Sequence, residues 1–208
     1  MSPTSLIVQQ PQGPASQLVL LMHGVGSVPQ SLLGAARWFA NRDSAAMVVS
    51  IASPEPSDVS SHGLQWFSVR GVTEDNRQAR VDGAMPAFVA TVQHWQRVSG
   101  TDAQRTLIAG FSQGAIMALE STKLAAPAAL RIVAIAGRFA TLPNRQSGAA
   151  IHFLHGDADP VMPAALAQTA QARLLQLGTE VTLDLAHGVG HEPHPALLER
   201  LSARLAPA

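Results

Sequence analysis

Ser112 lies in the stretch Gly110–Gly114, GFSQG, which matches a G-x-S-x-G pattern. The apolar run TLIAGF precedes this stretch and the run QGAIMALES follows it, so the pattern predicts a sharp turn between a strand and a helix. Such a turn lifts a serine hydroxyl above the sheet, and the flanking glycines leave room for the backbone. The amino end of the next helix supplies unpaired N–H groups and partial positive charge, which suit an oxyanion. The stretch therefore predicts Ser112 as a catalytic nucleophile.

A serine nucleophile needs a base to accept its proton, and the histidines after the last predicted strand are the candidates. The segment AHGVGHEPHP contains His187, His191 and His194. His187 follows the strand closely, and His194 directly precedes Pro195 at the start of the last predicted helix. His191 lies in the middle of the loop, from which it can reach over the sheet. We favour His191 as the base, with His187 and His194 as alternatives.

An acid that orients the histidine is expected after another strand end. The stretch HGDADPVM supplies two candidates, Asp157 and Asp159, and both follow the predicted strand AIHFLH. The pattern does not separate them, since one could hold the turn while the other contacts the imidazole. The chain order serine, aspartate, histidine matches one of the three known orders of a catalytic triad.

Two backbone amides are candidates for binding the oxyanion of a tetrahedral intermediate. One is the amide of Gln113, directly after the predicted nucleophile. The other is the amide of Val25 in the stretch HGVG, which follows the predicted strand LVLLM. The glycines beside Val25 let the backbone approach a substrate carbonyl. An ordinary strand-to-helix turn is the competing interpretation of this stretch.

Short apolar runs alternate with amphipathic stretches, which predicts an α/β fold with a mostly parallel central sheet of about seven strands flanked by helices. The predicted strands are SLIVQ at an edge, LVLLM, MVVSI, TLIAGF, RIVAIA, AIHFLH and VTLDL. The predicted helices span residues 29–41, 75–98, 113–124, 163–177 and 195–205. Thr73 is a predicted N-cap and Gly178 a predicted C-cap. Chemistry in such sheets gathers at the carboxyl ends of the strands.

The connection over residues 52–72 is the longest predicted segment without a helix or strand, and long loops of this kind are often functional. It contains an aromatic pair, Trp66 and Phe67, in a chain without tyrosine. We expect both residues to line an acyl groove near Ser112, although they could instead pin the loop to the core. Only residues 137–149 separate two core strands, which is too short for a lid domain, so an open site is expected.

Composition narrows the classes of function. The fourteen basic residues balance fourteen acidic ones, so the sequence shows no charge footprint for nucleic acid. The absence of cysteine excludes disulfides, a thiolate nucleophile and cysteine-bound zinc. Neither a signal peptide nor a membrane-spanning run is recognisable, which predicts a cytoplasmic protein with one domain over residues 1–208. A net charge near zero permits association into a homodimer.

Several stretches resemble those of the small bacterial esterases of the carboxylesterase/phospholipase type, which are related to acyl-protein thioesterases. These stretches are LVLLMHGVG, QWFSVRGVTEDNRQARVD, GFSQGAIMALES and HGDADPVM. The resemblance covers nearly the whole chain and implies an α/β-hydrolase fold that cleaves carboxylic esters or thioesters without a metal or cofactor. It implies Ser112 as nucleophile, Asp159 as the acid and His191 as the base. The oxyanion donors would then be the amides of Val25 and Gln113.

Three rival functions remain at this point. A metal-dependent hydrolase would need ligands on a defined face, but HGVGH contains two glycines and HEPH is not an HExxH motif. A non-catalytic scaffold on the same fold would not require all members of a triad. A serine peptidase or amidase would differ only in its substrate, because a nucleophile turn does not distinguish an ester from an amide.

Overall fold

Strands and helices alternate along residues 4–205, the part of the chain that the computed structural model describes. The strands are β1 (Leu6–Gln9), β2 (Leu18–Met22), β3 (Met47–Ile51), β4 (Glu55–Pro56), β5 (Leu64–Gln65), β6 (Thr106–Phe111), β7 (Arg131–Ile135), β8 (Ala150–Gly156) and β9 (Val181–Ala186). The helices are α1 (Leu33–Ala40), α2 (Glu74–Ser99), α3 (Gln113–Ser121), α4 (Ala164–Gln176) and α5 (Pro195–Ser202). Each element predicted from the sequence is present, with ends shifted by a few residues.

Seven of these strands form one sheet in the order β1-β3-β2-β6-β7-β8-β9. β1 runs antiparallel to β3, and the other neighbours are parallel. Every residue of β2 and β3 is buried, as expected where helices cover both faces of a parallel sheet. The predicted α/β fold with a mostly parallel sheet of about seven strands is confirmed, and the run SLIVQ supplies its antiparallel edge.

Two apolar layers cover the sheet because successive side chains of a strand point to opposite faces. In β2, Leu18 and Leu20 join the layer that contains the apolar faces of α2, α3 and α4, whereas Val19 and Leu21 join the layer of α1 and α5. All four side chains are almost completely buried. Burying one such side chain stabilises the fold by roughly 1.5–3 kcal/mol, so both layers stabilise the sheet.

Local signals fix the ends of the helices. Thr73 precedes α2 and forms a capping box with Asn76, in which each side chain accepts a hydrogen bond from the other residue's amide. Gly178 follows α4 with a φ of 75°, and its amide donates to the Leu175 carbonyl. The predicted helix over residues 29–41 differs at its start, because Pro29–Leu32 form a 3-10 turn ahead of α1.

The carboxyl ends of β2, β6, β7 and β8 lie side by side, with Met22 opposite Gly110. The connection over residues 52–72 reaches this edge and is not irregular throughout, since it contains the hairpin of β4 and β5. The Asp58 carboxylate holds the rest of this connection by accepting hydrogen bonds from the Ser68 hydroxyl and the Val69 amide. Within the described residues, none of the helices has the length and apolarity needed to cross a bilayer.

Candidate active site

Ser112 occupies a strained backbone conformation between β6 and α3. Its φ is 52° and its ψ is −115°, which an L-amino acid rarely adopts, and its amide donates to the Ile135 carbonyl at the end of β7. A conformation of this kind costs on the order of 1–3 kcal/mol and is typical of functional sites. The turn places the hydroxyl at the carboxyl edge of the sheet, where the sequence predicts it.

The glycines on either side of Ser112 are required by close backbone contacts. A Cβ at Gly110 would lie 2.5 Å from the Ala115 nitrogen, and one at Gly114 would lie 2.2 Å from the Met22 carbonyl oxygen. These distances are far inside van der Waals contact, so any side chain would force β2, β6 and α3 apart. The G-x-S-x-G spacing therefore follows from how tightly α3 packs against the ends of β2 and β6.

Three side chains from three separate loops form a hydrogen-bonded chain at this edge. The Ser112 Oγ lies 3.0 Å from Nε2 of His191, and Nδ1 of His191 lies 2.7 Å from Oδ2 of Asp159. Since an ionised carboxylate only accepts, Nδ1 carries the proton and Nε2 is free to accept from the serine hydroxyl. The Phe111 ring packs against the imidazole at a centroid distance of 5.0 Å, which limits its rotation.

The Asp159 side chain is completely buried. Its Oδ1 accepts hydrogen bonds from the amides of Val161 and Met162, each at 2.8 Å. Burial raises the pKa of this carboxyl, but the hydrogen bonds from His191 and from the two amides outweigh burial, and the net pKa is lowered. Asp159 is therefore ionised at neutral pH and can stabilise a positive charge on His191.

The other acid and base candidates take different positions. Asp157 pairs with His187, with Oδ2 and Nδ1 2.8 Å apart, and the His187 side chain is 97% exposed. His194 caps α5, because its Nδ1 accepts the amide hydrogen of Ala196. The structure therefore brings His191 and Asp159 to Ser112, and it places Asp157, His187 and His194 elsewhere.

The two amides predicted as oxyanion donors belong to residues close to Ser112. Gln113 is the first residue of α3, so its amide has no acceptor within the helix. The backbone before Val25 passes close to Ser112, since a Cβ on Gly24 would lie 3.1 Å from the serine Cβ. Among residues 4–205, neither amide donates to a protein acceptor, and both residues line the same cleft.

His23 and His155 support the loops around the site and do not contact Ser112. The His23 Nε2 accepts the amide hydrogen of Ser53, so Nδ1 carries the proton and donates to the Gly24 carbonyl. Burial lowers the pKa of His23 and keeps it neutral. The His155 Nε2 lies 2.7 Å from the Met162 carbonyl oxygen and thus fixes the turn whose amides bind Asp159.

The two aromatic residues predicted to line an acyl groove separate. Phe67 lies on the wall of the cleft beside Ser112, but Trp66 does not. Trp66 is only 2% exposed, its indole N–H donates to the His23 carbonyl, and its ring packs edge-on against Phe88. The expectation for Trp66 is therefore wrong, because the indole has a hydrogen-bond partner in the core and anchors the connection there.

A side chain that the sequence analysis assigned no task fixes this connection. The Gln113 Oε1 accepts the Trp66 amide hydrogen at 2.8 Å, and its Nε2 donates to the Phe67 carbonyl at 2.7 Å. Gln113 is 2% exposed. Its side chain therefore holds Phe67 at the cleft, while its backbone amide belongs to the first residue of α3, directly after Ser112.

The cleft has a volume of about 430 Å³, and most of its wall is apolar. Beyond the residues already named, the wall contains Val69, Val72, Ile116, Val161, Met162, Pro163, Leu166, Glu74, Arg77 and Arg138. A larger cavity of about 1010 Å³ lies at the amino ends of the strands, beside Gln17 and Arg131, and none of the predicted site residues lines it. The cleft next to Ser112 is therefore the candidate substrate site. The three charged residues of its wall went unnoticed in the sequence, although Arg138 shares the signal of following a strand.

Comparison with known proteins identifies the family of this chain. A model of the phospholipase/carboxylesterase family matches residues 3–206. Esterase YpfH of Escherichia coli (strain K12) is 50% identical over 186 residues, which cover 89% of this chain and 80% of that protein. Acyl-protein thioesterase 1 of Neurospora crassa is 28% identical over 205 residues, covering 89% of this chain and 82% of that protein.

The solved structure of esterase PE8 has the same fold, with a TM-score of 0.85 at 26% identity over 99% of this chain and 98% of that one. The sheet, the turn at Ser112 and the absence of a separate lid within the described residues are those of an α/β-hydrolase. The chain belongs to the phospholipase/carboxylesterase family and is a hydrolase of the carboxylesterase/thioesterase type. The family resemblance predicted from the sequence is thus confirmed.

Proposed function

We propose that this enzyme cleaves carboxylic esters and acyl thioesters through an acyl-serine intermediate on Ser112, with His191 as the base and Asp159 as the orienting acid. The observation that carries the proposal is the unbroken chain of hydrogen bonds from Ser112 Oγ through His191 to the buried Asp159 carboxylate. Nucleophile, base and acid are within hydrogen-bond reach in the order that nucleophilic catalysis by serine requires.

In the first step, the Ser112 hydroxyl attacks the substrate carbonyl while Nε2 of His191 removes its proton. The imidazolium that results is stabilised by Asp159, which is ionised and faces Nδ1. The buried carboxylate also holds the ring in the tautomer that leaves Nε2 free to accept. Asp159 therefore acts both on orientation and on charge.

The tetrahedral intermediate places a negative charge on the former carbonyl oxygen. In our proposal, this oxygen accepts hydrogen bonds from the amides of Val25 and Gln113, which have no competing acceptor in the described part of the chain. Val25 lies in the turn that follows β2, and Gln113 is the first residue of α3. Each such donor contributes roughly 3 kcal/mol to stabilising the transition state.

The second half of the reaction releases the acyl group. Nε2 of His191 returns its proton to the leaving alcohol or thiol as the carbon–oxygen or carbon–sulfur bond breaks. Water then attacks the acyl-enzyme, with His191 again accepting a proton, and Ser112 recovers its hydrogen when the intermediate collapses. His191 thus passes the serine proton to the leaving group and a proton of water back to Ser112, so the proton balance closes.

The wall of the cleft favours acyl esters over peptides as substrates. Phe67, Ile116 and Leu166 present apolar surface to an acyl chain, and two relatives carry the names esterase and acyl-protein thioesterase. A serine peptidase or amidase is the second candidate function, because the same triad geometry also cleaves amides. Hydrolysis rates for one acyl group presented as ester, thioester and amide distinguish the two.

A metal-dependent reaction finds no support in the arrangement of side chains. Across residues 4–205, no three histidine, aspartate or glutamate side chains converge in a way that could hold a metal ion. Each of the imidazoles of His187, His191 and His194 contacts a different partner.

The variant Ser112→Ala tests the proposal directly. We expect it to fold as the wild type does and to lose activity by a factor on the order of 10⁶, because no other group can form the acyl intermediate. Reaction with a fluorophosphonate probe, followed by mass spectrometry, should label Ser112 in the wild type and nothing in the variant. Ser61→Ala, which removes a hydroxyl from an exposed position in the connection over residues 52–72, is the matched control. Substantial esterase activity in folded Ser112→Ala would refute the mechanism.

A further inference from the structure

The wall of the cleft carries a group of charged side chains that the proposed reaction does not use. These are Arg77 and Arg138, which we call the cleft arginine pair, and Glu74. Two guanidinium groups face one carboxylate, so the wall holds one positive charge in excess. Charges on an otherwise apolar wall are costly to desolvate without a partner, so an anionic group that enters the cleft would meet an excess of positive charge.

The described residues use only part of the hydrogen-bonding capacity of the Arg138 guanidinium. Nη1 and Nη2 of Arg138 donate to the two oxygens of Glu74 at 3.0 and 2.8 Å, and Nε donates to the Phe139 carbonyl. Nη1 of Arg77 is buried and forms an ion pair with Glu74 Oε1 at 2.7 Å. Each Nη of Arg138 carries two hydrogens and donates one of them to Glu74, so a second carboxylate could accept the other.

Both arginine side chains are largely buried, whereas the Glu74 side chain is largely exposed. The side chains of Arg77 and Arg138 are 16% and 19% exposed, and that of Glu74 is 66% exposed. The two arginines lower the pKa of Glu74 to about 2, Arg138 more than Arg77, so the carboxylate is ionised at neutral pH. Glu74 is therefore a solvent-facing partner that can share the two guanidinium groups with a substrate.

The backbone shortly before Arg138 is strained, and hydrogen bonds hold it on either side of Arg138. Ala136, two residues earlier, has a φ of 48°, one of only two positive values at residues other than glycine in the described part of the chain. The other is at Ser112. The amide of Ala136 donates to the Leu154 carbonyl, and the amide of Ala140 donates to the buried Glu120 carboxylate. Strain of this kind persists where the surrounding structure fixes a functional position.

The geometry indicates which part of a substrate lies in the cleft. Ser112 and both predicted oxyanion donors line it, and His191 does not. Because the leaving atom must take its proton from His191, the leaving group points away from the cleft. The acyl chain is then the part that extends along the apolar wall towards the arginines.

We propose that the cleft arginine pair binds a carboxylate on the acyl chain, so that the preferred substrates are esters or thioesters of dicarboxylic acids with one free carboxylate. The planar guanidinium fork matches a carboxylate in a way that an apolar wall cannot. This inference rests on the proposed function, since it assigns the substrate class of the same site.

The experiment compares esters that differ only in the end of the acyl chain. The 4-nitrophenyl monoesters of adipate, suberate and sebacate are paired with 4-nitrophenyl hexanoate, octanoate and decanoate, and each rate is corrected for spontaneous hydrolysis. The measured quantity is the ratio of kcat/KM for the carboxylate ester to that for the neutral ester. We expect the wild type to favour the carboxylate at one of the chain lengths.

Two variants should move this ratio in opposite directions. Arg138→Gln removes a charged donor and should lower it about tenfold, the effect of losing a hydrogen bond to a charged group. Glu74→Gln removes the competing carboxylate and should raise it. If the Arg138–Glu74 ion pair served only to tie the end of β7 to α2, both variants would act alike on the two esters and the ratio would not change.

A second variant of the cleft arginine pair extends the test, and a distant arginine variant controls for total charge. Arg77→Gln keeps the Arg138–Glu74 ion pair and should also lower the ratio. Arg97→Gln removes the same charge from an exposed position near the other end of α2, roughly 30 Å away by helix rise, and should leave the ratio at the wild-type value. A ratio that stays constant across Arg77→Gln, Arg138→Gln and Glu74→Gln would overturn the inference.

One more pair of substrates separates the two sides of the scissile bond. Hexanoyl esters of 4-hydroxybenzoate and of its methyl ester carry the charge difference on the leaving group, and we expect little discrimination between them. Discrimination there, lost in Arg138→Gln, would contradict the assignment to the acyl side. If neutral esters are hydrolysed rapidly and the kcat/KM ratio is the same in the wild type and in all three variants, only the substrate class is wrong. Turnover by Ser112→Ala would instead refute the proposed mechanism.

Discussion

Two hydrogen-bonded aspartate–histidine pairs lie close together within residues 4–205, and only one of them contacts Ser112. Asp159 binds His191 and Asp157 binds His187, with nitrogen–oxygen distances of 2.7 and 2.8 Å. The acids are two residues apart and the histidines are four apart. By residue type and hydrogen-bond length the two pairs are equivalent.

The pairs differ in burial and in what lies beyond the imidazole. The Asp159 and His191 side chains are 0% and 16% exposed, whereas those of Asp157 and His187 are 39% and 97% exposed. We call Asp159–His191 the inner pair and Asp157–His187 the outer pair. In the inner pair, His191 continues the chain of hydrogen bonds to Ser112, whereas in the outer pair Asp157 accepts a hydrogen bond from the Gly188 amide. An aspartate–histidine hydrogen bond is therefore insufficient to define a catalytic base, because a base also needs a reachable proton and a low-dielectric setting.

The largest expected effect comes from the same substitution in each pair. Asp159→Asn should lower kcat by a factor on the order of 10³–10⁴, because an amide cannot fix the tautomer or stabilise the imidazolium. Asp157→Asn should change kcat by no more than a few fold. Steady-state hydrolysis of 4-nitrophenyl hexanoate measures both, with circular dichroism as the check on folding. Equal losses in the two variants would remove the distinction between the pairs.

A second prediction concerns the backbone that both pairs share. A Cβ at Gly156, directly before Asp157, would lie 2.0 Å from the Val189 carbonyl oxygen, whereas one at Gly190 would meet nothing within 4 Å. Gly156→Ala should push the loop with Asp157 and Asp159 away from the loop with His187 and His191. We expect the free energy of unfolding to fall by about 1–3 kcal/mol and the activity to decrease.

Gly190→Ala is the matched control, since it adds the same methyl group directly before His191. We expect a change in the free energy of unfolding within about 0.5 kcal/mol and nearly normal turnover. Urea unfolding measures both variants. A severe loss in Gly190→Ala would mean that the loop must move to bring His191 to the serine.

The smallest expected effect is a difference in how far each pair makes the free energy of unfolding depend on acidic pH. The net pKa of Asp159 is lowered, so the unfolded chain takes up a proton before the folded protein does as the pH falls. The stability that this carboxylate contributes is present above about pH 4 and is lost as the pH falls through the folded-state pKa. Between pH 5 and pH 3, we expect the free energy of unfolding of the wild type to fall by more than that of Asp159→Asn, because the amide does not titrate.

The pKa of Asp157 is lowered as well, chiefly by the hydrogen bond from His187. Its pair is exposed and therefore screened by solvent, so Asp157→Asn should alter the acid dependence less. Urea titrations at several pH values below 5 measure both variants. A stronger effect from Asp157→Asn would show that the outer pair, rather than the inner one, couples acid to stability.

The sequence determined the elements and the position of Ser112 in a tight turn. Continuous apolar runs such as LVLLM are buried on both faces, and the glycines around Ser112 mark a turn that has no space for side chains. These signals are local, because strand burial and turn geometry depend on residues that are adjacent in the chain. They predicted the sheet and the residues at its carboxyl edge.

Tertiary structure decided which of two similar neighbours faces the site. Residue pattern alone did not separate Asp157 from Asp159, and it assigned Trp66 and Phe67 the same task. The indole of Trp66 turns into the core to reach the His23 carbonyl, while Phe67 lies on the cleft wall. The cleft arginine pair brings together Arg77 of α2 and Arg138 of the segment after β7, which are 61 positions apart in the chain. Orientation, burial and long-range pairing arise only when separate segments pack together, so spacing along the chain carries no record of them.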